Sequence, residues 1–243
     1  MTPLANGFYR LYATPHSLYS GRARAYLIKK KIPFEELSIG HKSFSEEVIS
    51  ESKLRTIPVL VTPTGEVIRD GGAIIDHFER TFGNLCSPSG YQQQIISSLF
   101  ELIGSDGLRR PAMHFRWNFL DKNEDYLRYH FLNTLPDSDD RELRTTKIMT
   151  RLSKVTALRG VTEENQTTVE NLYYEFIEAL DDHFKYTPYL LGGRPSRGDF
   201  GLISPLFGHL GRDPYPASLM VARAPRVSRW EERLNRPHQD APE

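Results

Sequence analysis

Few residues in this chain have types and spacings that could support metal or covalent chemistry. Cys86 is the single cysteine, which excludes an intramolecular disulfide framework and a cysteine-rich zinc site. The eight histidines show no HExxH-type spacing, so we predict no metal. The DFG triplet at 199–201 spells a kinase magnesium motif without the accompanying glycine-rich loop. The hydroxyls of Ser17 and Ser20 lie where a short strand gives way to a helix, a position where serine usually acts as a cap.

The composition is that of an ordinary soluble globular protein and excludes several functional classes. The 243 residues are 39% hydrophobic and 26% charged, with 31 basic and 31 acidic side chains. A net charge of zero argues against nucleic acid or an anionic membrane as a partner. No apolar run approaches the roughly 18 residues of a spanning helix, and the first fifteen residues lack a secretory signal pattern. We therefore expect a cytoplasmic protein with two domains.

The first eighty residues alternate between strand and helix patterns. Two predicted strands flank a predicted helix, which ends because Pro33 disfavours helical geometry in the residue before it. Such a unit is a right-handed parallel crossover. A second helix and a hairpin around the turn at 63–66 follow, and then a third helix. The predicted elements are strands Tyr9–Ala13, Phe34–Leu37, Val59–Val61 and Val67–Ile68, and helices Ser20–Lys31, Phe44–Ser52 and Gly72–Phe82. This βαβ-α-ββα order predicts an α/β domain with one mixed sheet.

The rest of the chain is predicted to be helical. The segment 83–90 is rich in glycine, serine and proline, which favours a junction between domains. The helices predicted beyond it are Tyr91–Leu108, Met113–Asn133, Arg141–Leu158, Glu164–Phe184, Arg197–Leu210, Tyr215–Val221 and Pro225–Leu234. The expected organisation is an α/β domain at 1–83, a linker at 84–90 and an all-α domain at 91–243.

Four stretches in this order resemble the glutathione transferase superfamily, in particular its bacterial serine-type members. They are LYATPHSLYSGRARAYLIKKKIPFEE at 11–36, TIPVL at 56–60, IRDGGAIIDHFE at 68–79 and SRGDFGL at 196–202. The resemblance covers nearly the whole chain without matching one named class. It implies a thioredoxin-like N-terminal domain followed by an all-helical C-terminal bundle. It also implies glutathione as a co-substrate, a small electrophile as the other substrate, and a homodimer.

Ser17 occupies the position of the thiol-activating residue that the resemblance implies, at the amino end of the first helix. A hydroxyl that donates a hydrogen bond to the glutathione thiolate would lower the pKa of the thiol. Ser20, Tyr12 and Tyr19 are alternative donors. Because serine cannot form a mixed disulfide, thiol-disulfide oxidoreduction is disfavoured, and Cys86 is interpreted as a small, semi-buried residue.

The same resemblance implies the contacts that hold glutathione. Pro58 matches a cis-proline whose preceding residue, Ile57, presents its backbone to the cysteinyl part of the tripeptide. Arg55 matches a position that supplies a cation for the glycyl carboxylate, and Lys53 and His41 are weaker candidates.

The site for the γ-glutamyl end departs from the family pattern. The family usually has Glu-Ser there, whereas this chain has Asp70-Gly71 followed by Gly72. Asp70 keeps a carboxylate and Gly71 keeps an N–H group at a helix start, but the hydroxyl is lost. We expect a ten- to hundredfold weaker affinity for glutathione unless another group replaces that hydroxyl.

The resemblance places the co-substrate pocket between the domains. His114 and Trp117 are the predicted lining residues, next to Met113 and Phe115, and His114 or Arg110 could polarise an electrophile. Two functions remain open at this point. One is a glutathione transferase, whose thiolate could equally serve isomerisation or ether cleavage; the other is a catalytically silent ligand carrier or protein-interaction scaffold.

Overall fold

The α/β part of the molecule is built around a four-stranded mixed sheet. The computed structural model describes residues 7–50, 54–83 and 86–237. Its α/β elements are β1 (Tyr9–Tyr12), α1 (Ser20–Lys29), β2 (Phe34–Leu37), the π-helical α2 (Phe44–Ile49), β3 (Val59–Val61), β4 (Val67–Arg69) and α3 (Gly71–Phe82). The strand order is β2-β1-β3-β4, with β1 parallel to β2 and the other two pairs antiparallel. This is the predicted thioredoxin-like topology.

The sheet is covered on both faces because its strands alternate their side chains. In β3, Leu60 packs into the main core with α1 and α3, whereas Val59 and Val61 join Tyr12 and Phe44 in a second cluster under α2. Each of these five side chains is at most 3% exposed. The sheet is therefore held between helices, and its strand ends are left as the place for a site.

The rest of the described chain is helical. Its elements are α4 (Tyr91–Leu102) with a π turn at Ile103–Gly107, α5 (Arg109–Trp117), α6 (Leu120–Leu132), α7 (Arg141–Ser153), α8 (Val155–Leu158), a 3-10 turn at Glu163–Asn165, α9 (Gln166–His183), α10 (Arg197–Pro205) with a π turn at Leu206–Leu210, α11 (Pro214–Arg223) and α12 (Pro225–Leu234). The helical C-terminal region is thus confirmed. No helix within 7–50, 54–83 and 86–237 has both the length and the hydropathy to cross a bilayer.

Helix α10 is the central helix of this region and begins at a capping box formed by Ser196 and Asp199. The Ser196 amide donates to Asp199 Oδ2 at 2.7 Å, and Asp199 Oδ1 accepts from Trp230 Nε1 at 3.0 Å. A Cβ on Gly201 would lie 2.5 Å from the Glu101 Cα, so α10 and α4 approach backbone to backbone. Helix α10 ends at Pro205, where the missing N–H interrupts the ladder and the π turn follows.

Several predicted helices differ from the observed ones in length or continuity. The helix predicted at 113–133 is broken after Trp117, because the Asn123 side-chain amide donates to the carbonyls of Phe115 and Arg116 at 2.9 and 3.2 Å. These bonds replace the backbone partners that a continuous helix would supply. The helix predicted at 141–158 likewise divides into α7 and α8. The end of the helix predicted at 44–52 and part of the linker predicted at 84–90 fall outside the described residues.

Candidate functional site

The register of the sheet brings three loops to one edge. Tyr12 pairs with Val59, and Val59 pairs with Arg69. The loop after β1, the segment before β3 and the start of α3 therefore lie side by side. The Asp70 amide donates to the Pro58 carbonyl at 3.3 Å and ties two of these segments together.

Pro58 has the predicted geometry. The Ile57–Pro58 peptide bond is cis, Pro58 is buried and Ile57 is partly exposed. The contact of the Ile57 backbone with a tripeptide stays a prediction.

Ser17 lies in the loop between β1 and α1 and is half-buried. Its Oγ accepts one long hydrogen bond, at 3.4 Å, from the Ser20 amide, and its own amide donates to the Thr14 carbonyl at 3.1 Å. An oxygen that only accepts leaves the hydroxyl hydrogen available to donate to an incoming group. The sequence Thr14–Ser20 thus forms a tight turn that presents this hydroxyl at the amino end of α1.

The three alternative hydroxyls have different surroundings. Ser20 has no exposed surface. Tyr12 is also fully buried; its phenol donates to Glu47 Oε2 at 2.8 Å and lies 2.7 Å from Ser43 Oγ. Burial raises the pKa of Tyr12 to about 12, so the phenol stays protonated. Tyr19 is 46% exposed.

Asp70 and Gly71 form the start of α3, as predicted. Asp70 has a positive φ of 77°, and its Oδ1 caps the helix by accepting from the amides of Gly72 at 2.7 Å and Ala73 at 3.4 Å. Aspartate and asparagine tolerate this left-handed region better than most side chains. The cap holds the exposed Asp70 carboxylate at the amino end of the helix, beside Gly71.

Two charged residues near this helix start were missed by the sequence analysis. A Cβ on Gly71 would lie 3.0 Å from Arg22 Cδ, and one on Gly72 would lie 3.2 Å from Arg22 Nη1 and 3.9 Å from Glu101 Oε1. Arg22 Nη1 donates to Glu101 Oε1 at 3.1 Å. The five-residue spacing from Ser17 to Arg22 was visible in the sequence, but Glu101 is 79 residues from Arg22 and no local pattern indicates it.

The described candidates for the glycyl carboxylate lie in the segments before β3 and after β2. Arg55 is exposed in the segment that precedes the cis peptide bond. His41 is exposed, and its Nδ1 lies 2.6 Å from Ser43 Oγ. Lys53 falls outside the described residues.

The residues predicted for the co-substrate pocket are mostly packed. His114 has no exposed surface, and its two ring nitrogens lie 2.8 Å from Glu170 Oε1 and 2.8 Å from Asn118 Nδ2. Trp117 is 7% exposed and belongs to a cluster with Phe131. Their assignment to the pocket stays a prediction.

Of the other three residues in this prediction, Phe115 is fully buried in the core, Met113 is partly exposed beside Trp117, and Arg110 is exposed. Arg110 Nε donates to the Arg159 carbonyl at 3.3 Å.

The buried guanidinium of Arg116 anchors the loop that contains Ser17. Arg116 is 3% exposed and forms a bidentate pair with Asp213, through Nε at 2.6 Å and Nη2 at 2.7 Å. Its Nη1 donates to the His16 carbonyl at 2.8 Å, and its Nη2 to the Gly208 carbonyl at 3.2 Å. Nη1 also lies 2.6 Å from His209 Nε2. The helical region therefore holds the residue that directly precedes Ser17.

Cys86 is a buried residue with an un-ionised thiol. Cys86 is 4% exposed, and its burial together with the Glu79 carboxylate raises the pKa of its thiol well above the usual range. Within the described ranges, no group of three or more His, Cys, Asp or Glu side chains is placed to hold a metal ion.

Comparison with known proteins agrees with this geometry. The family model described as the glutathione S-transferase N-terminal domain matches residues 11–85. Residues 11–85 therefore belong to the glutathione S-transferase N-terminal domain family, in agreement with the topology of the sheet. No curated protein sequence matches it significantly.

Solved structures resemble the chain over almost its full length. The β-etherase LigF from Sphingobium sp. strain SYK-6 is 16% identical with a TM-score of 0.60, covering 97% of this chain and 95% of that one. Glutathione transferase GSTFuA3 from Phanerochaete chrysosporium is 12% identical with a TM-score of 0.60, covering 93% and 96%. FzlA from C. crescentus is 19% identical with a TM-score of 0.56, covering 95% and 89%. At these identities the likeness concerns the fold.

Proposed function

We propose that this protein binds reduced glutathione at the edge of its sheet, ionises the thiol through Ser17 and transfers the sulfur to a small electrophile. The observation that carries the proposal is the partly exposed Ser17 hydroxyl, whose hydrogen is available at the start of α1. Two glutathione transferase structures with glutathione or its sulfonate bound support the choice of co-substrate, one from Pseudomonas fluorescens and one from Methylobacterium radiotolerans.

The expected gain in thiolate follows from ordinary magnitudes. A free thiol with a pKa near 8.5 is only a few per cent ionised at neutral pH. A hydroxyl donating to the thiolate contributes roughly 1.5–3 kcal/mol, and the amino end of a helix adds about 0.3–1 kcal/mol. At about 1.36 kcal/mol per pKa unit, the thiol pKa falls by roughly one to three units before desolvation opposes it. The bound thiol is then largely ionised at pH 7.

In this proposal the side chain of Arg22 takes over from the hydroxyl missing at Gly71. Its aliphatic stem lies against Gly71 and its guanidinium against Gly72, at the helix end where the γ-glutamyl carboxylate is expected. The carboxylates of Asp70 and Glu101 flank the same point and suit the α-ammonium group. Arg55, exposed and ahead of the cis bond, is proposed to hold the glycyl carboxylate.

The first test is the variant Ser17→Ala with glutathione and a chloronitrobenzene acceptor. Conjugation is expected to fall at least tenfold, and the pH at which the bound thiol ionises is expected to rise, because the thiolate loses its donor. Tyr19→Phe is the matched control, since it removes a neighbouring exposed hydroxyl from the same loop. Unchanged turnover with an unchanged pH profile in Ser17→Ala would refute the assignment to Ser17.

The second test is calorimetric binding of reduced glutathione. Arg22→Ala is expected to weaken binding about ten- to hundredfold, because a charge-assisted hydrogen bond is lost, and Arg22→Lys is expected to recover part of it. Arg80→Ala, an exposed arginine on α3, is the control. If the unmodified protein binds no glutathione, the enzyme proposal fails and the ligand carrier or scaffold remains.

We also propose that the protein is a homodimer joined through α4. This helix exposes a stripe of apolar side chains, Tyr91 at 85%, Ile95 at 63%, Leu99 at 53% and Leu102 at 61%. These residues line a groove of about 490 Å³. A stripe of this kind on one helix face is typical of an interface, and a second copy would cover it symmetrically. Leu99→Glu should halve the mass measured by light scattering; a monomeric unmodified protein would contradict the proposal.

A further inference from the structure

A π turn of the helical region lies directly against the loop that contains Ser17. The turn covers Leu206–Leu210 and follows Pro205, where α10 ends. A Cβ on Gly208 would lie 3.0 Å from the Leu18 Cα and 3.1 Å from the Ser17 carbonyl oxygen. Both neighbours are backbone atoms, which cannot rotate away as the end of a flexible side chain can. A residue larger than glycine at position 208 would therefore have to push this loop by a few tenths of an ångström.

The same part of the helical region also supports the loop where α1 begins. A Cβ on Gly21 would lie 3.2 Å from the Ser204 Cα, so α1 and the end of α10 approach backbone to backbone. The Leu18 side chain is 5% exposed and belongs to the main core. The loop is thus in close contact with the helical region at its middle and again at its end.

Arg116 ties this loop to the π turn, and its guanidinium uses all five of its N–H groups. Two bind the Asp213 carboxylate at 2.6 and 2.7 Å, and two bind the carbonyls of His16 and Gly208 at 2.8 and 3.2 Å. The fifth is directed to His209 Nε2 at 2.6 Å. That nitrogen accepts, because the other ring nitrogen of His209 lies 3.2 Å from a backbone carbonyl of α5, which can only accept. A guanidinium with every donor engaged has one orientation, so it holds the loop and the turn together.

These contacts fix the backbone around Ser17 and leave its hydroxyl available to donate. The Ser17 carbonyl that faces Gly208 also accepts from the Ser20 amide at 3.2 Å, which closes the turn before α1. Moving this carbonyl therefore moves the turn that presents the hydroxyl. Because a hydrogen bond weakens steeply when its distance or angle is poor, a displacement of a few tenths of an ångström matters for a donor to sulfur.

We propose that Gly208 and Arg116 are positioning residues that set where the loop presents the Ser17 hydroxyl. Each acts through the backbone of the loop and not by contact with glutathione or the electrophile. The inference rests on the proposed function, because it identifies what supports the residue that activates the thiol. Both residues belong to the helical region, outside the segment 11–85 that the family model matches.

The direct test measures the position of the loop without glutathione. In Ser17→Cys the new thiol lies at the amino end of α1, where a helix lowers the pKa of a thiol. The rate of its alkylation by iodoacetamide as a function of pH gives that pKa. Cys86 adds little background, because it is 4% exposed and burial raises the pKa of its thiol well above the usual range. Adding Gly208→Ala to Ser17→Cys is expected to raise the pKa at position 17 by about 0.3–1 unit, or about two- to tenfold less thiolate at neutral pH.

Two further variants complete this test. Gly107→Ala is the matched control: Gly107 ends the π turn after α4, and its Cβ would lie 3.6 Å from Ile103 Cγ2, an ordinary contact. It should leave the pKa at position 17 unchanged. Arg116→Lys keeps a positive charge beside Asp213 but lacks the planar fork that reaches both carbonyls, so it should shift the pKa in the same direction as Gly208→Ala.

The proposal is overturned if the pKa at position 17 is the same with and without Gly208→Ala, or if Gly107→Ala shifts it equally. Circular dichroism shows whether each variant is folded. If Gly208→Ala does not fold, Arg116→Lys decides the question in the same assay, and an unchanged pKa there overturns the proposal.

A kinetic test in the protein with Ser17 separates this inference from the proposed function. Gly208→Ala should lower kcat for conjugation of a chloronitrobenzene about tenfold and raise the pH at which the bound thiol ionises. The KM for glutathione should change less than about twofold, since the proposed contacts of Arg22, Asp70 and Arg55 lie outside this loop. A merely structural defect would lower kcat without moving the pH profile, which would count against positioning.

The two failures give different results. If Ser17→Ala impairs conjugation and Gly208→Ala does not, the positioning role is wrong and the proposed function stands. If Ser17→Ala leaves conjugation unchanged while Gly208→Ala still shifts the thiol pKa at position 17, the proposed function is wrong and the support of the loop by Gly208 stands.

Discussion

Replacing Arg116 with methionine tests how much a buried ion pair and its hydrogen bonds contribute to the stability of the protein. Arg116 and Asp213 are 3% and 0% exposed, and the guanidinium also donates to the carbonyls of His16 and Gly208. Methionine keeps much of the side-chain volume but leaves the Asp213 carboxylate buried without its partner. Breaking a buried pair in this way typically costs about 3–5 kcal/mol.

The expected shift in melting temperature follows from the size of the chain. For a protein of 150–250 residues, a decrease of about 1 kcal/mol in the free energy of unfolding lowers Tm by roughly 2–4 °C. Arg116→Met should therefore lower Tm by about 6–20 °C. Thermal unfolding followed by circular dichroism measures the shift, and urea titration gives the free energy. Arg128→Met is the control, because Arg128 pairs with Glu124 on the exposed surface of α6, where a pair contributes about 0–1 kcal/mol.

The double variant Arg116→Met with Asp213→Leu shows whether the unpaired Asp213 carboxylate causes the loss of stability in Arg116→Met. If the uncompensated carboxylate is the main cost, removing it should recover more than half of the lost free energy. The remaining deficit, about 1–2 kcal/mol, comes from the hydrogen bonds to the His16 and Gly208 carbonyls. The reasoning would be refuted if the single variant lowered the free energy of unfolding by less than about 1 kcal/mol, or if the double variant were no more stable than the single variant.

Two further predictions concern buried carboxylates. Asp199→Ala removes the acceptor for the Ser196 amide, the Leu190 amide and Trp230 Nε1. The free energy of unfolding measured in urea should therefore fall by about 2–4 kcal/mol. A decrease below about 1 kcal/mol would contradict this prediction. Burial raises the pKa of Glu231 from 4.5 to about 8, so the folded state holds a proton that the unfolded state releases. Stability should therefore fall between about pH 5 and 8, by at most about 1.4 kcal/mol per unit, and Glu231→Gln should flatten this slope.

The fold could be predicted because its determinants are local. The strands at 34–37 and 59–61 and the helix at 225–234 have the predicted bounds, since the periodicity and the flanking prolines are read within a few residues. The prediction of one continuous helix at 113–133 was wrong, because a side chain interrupts the backbone hydrogen bonds there. Asn123 satisfies backbone carbonyls of the preceding turn, and no periodic pattern encodes that bond.

The site could be predicted only where a motif fixes the backbone. The family resemblance predicted the cis bond before Pro58 and the helix start after Asp70, and the backbone has both features. The contacts around Arg22 could not be predicted, since its partner Glu101 comes from a different helix.

The position of Ser17 depends on both parts of the molecule. Its loop leaves the sheet at β1, but the carbonyl before it is bound by Arg116 of α5, and a Cβ on Gly208 would lie 3.1 Å from the Ser17 carbonyl oxygen. The matched family segment at 11–85 contains Ser17 and neither of these supports. Hydroxyl placement within a fraction of an ångström is what thiolate stabilisation requires. In the proposed function, the segment that carries the motif supplies the Ser17 hydroxyl, and the helical region holds the loop that presents it.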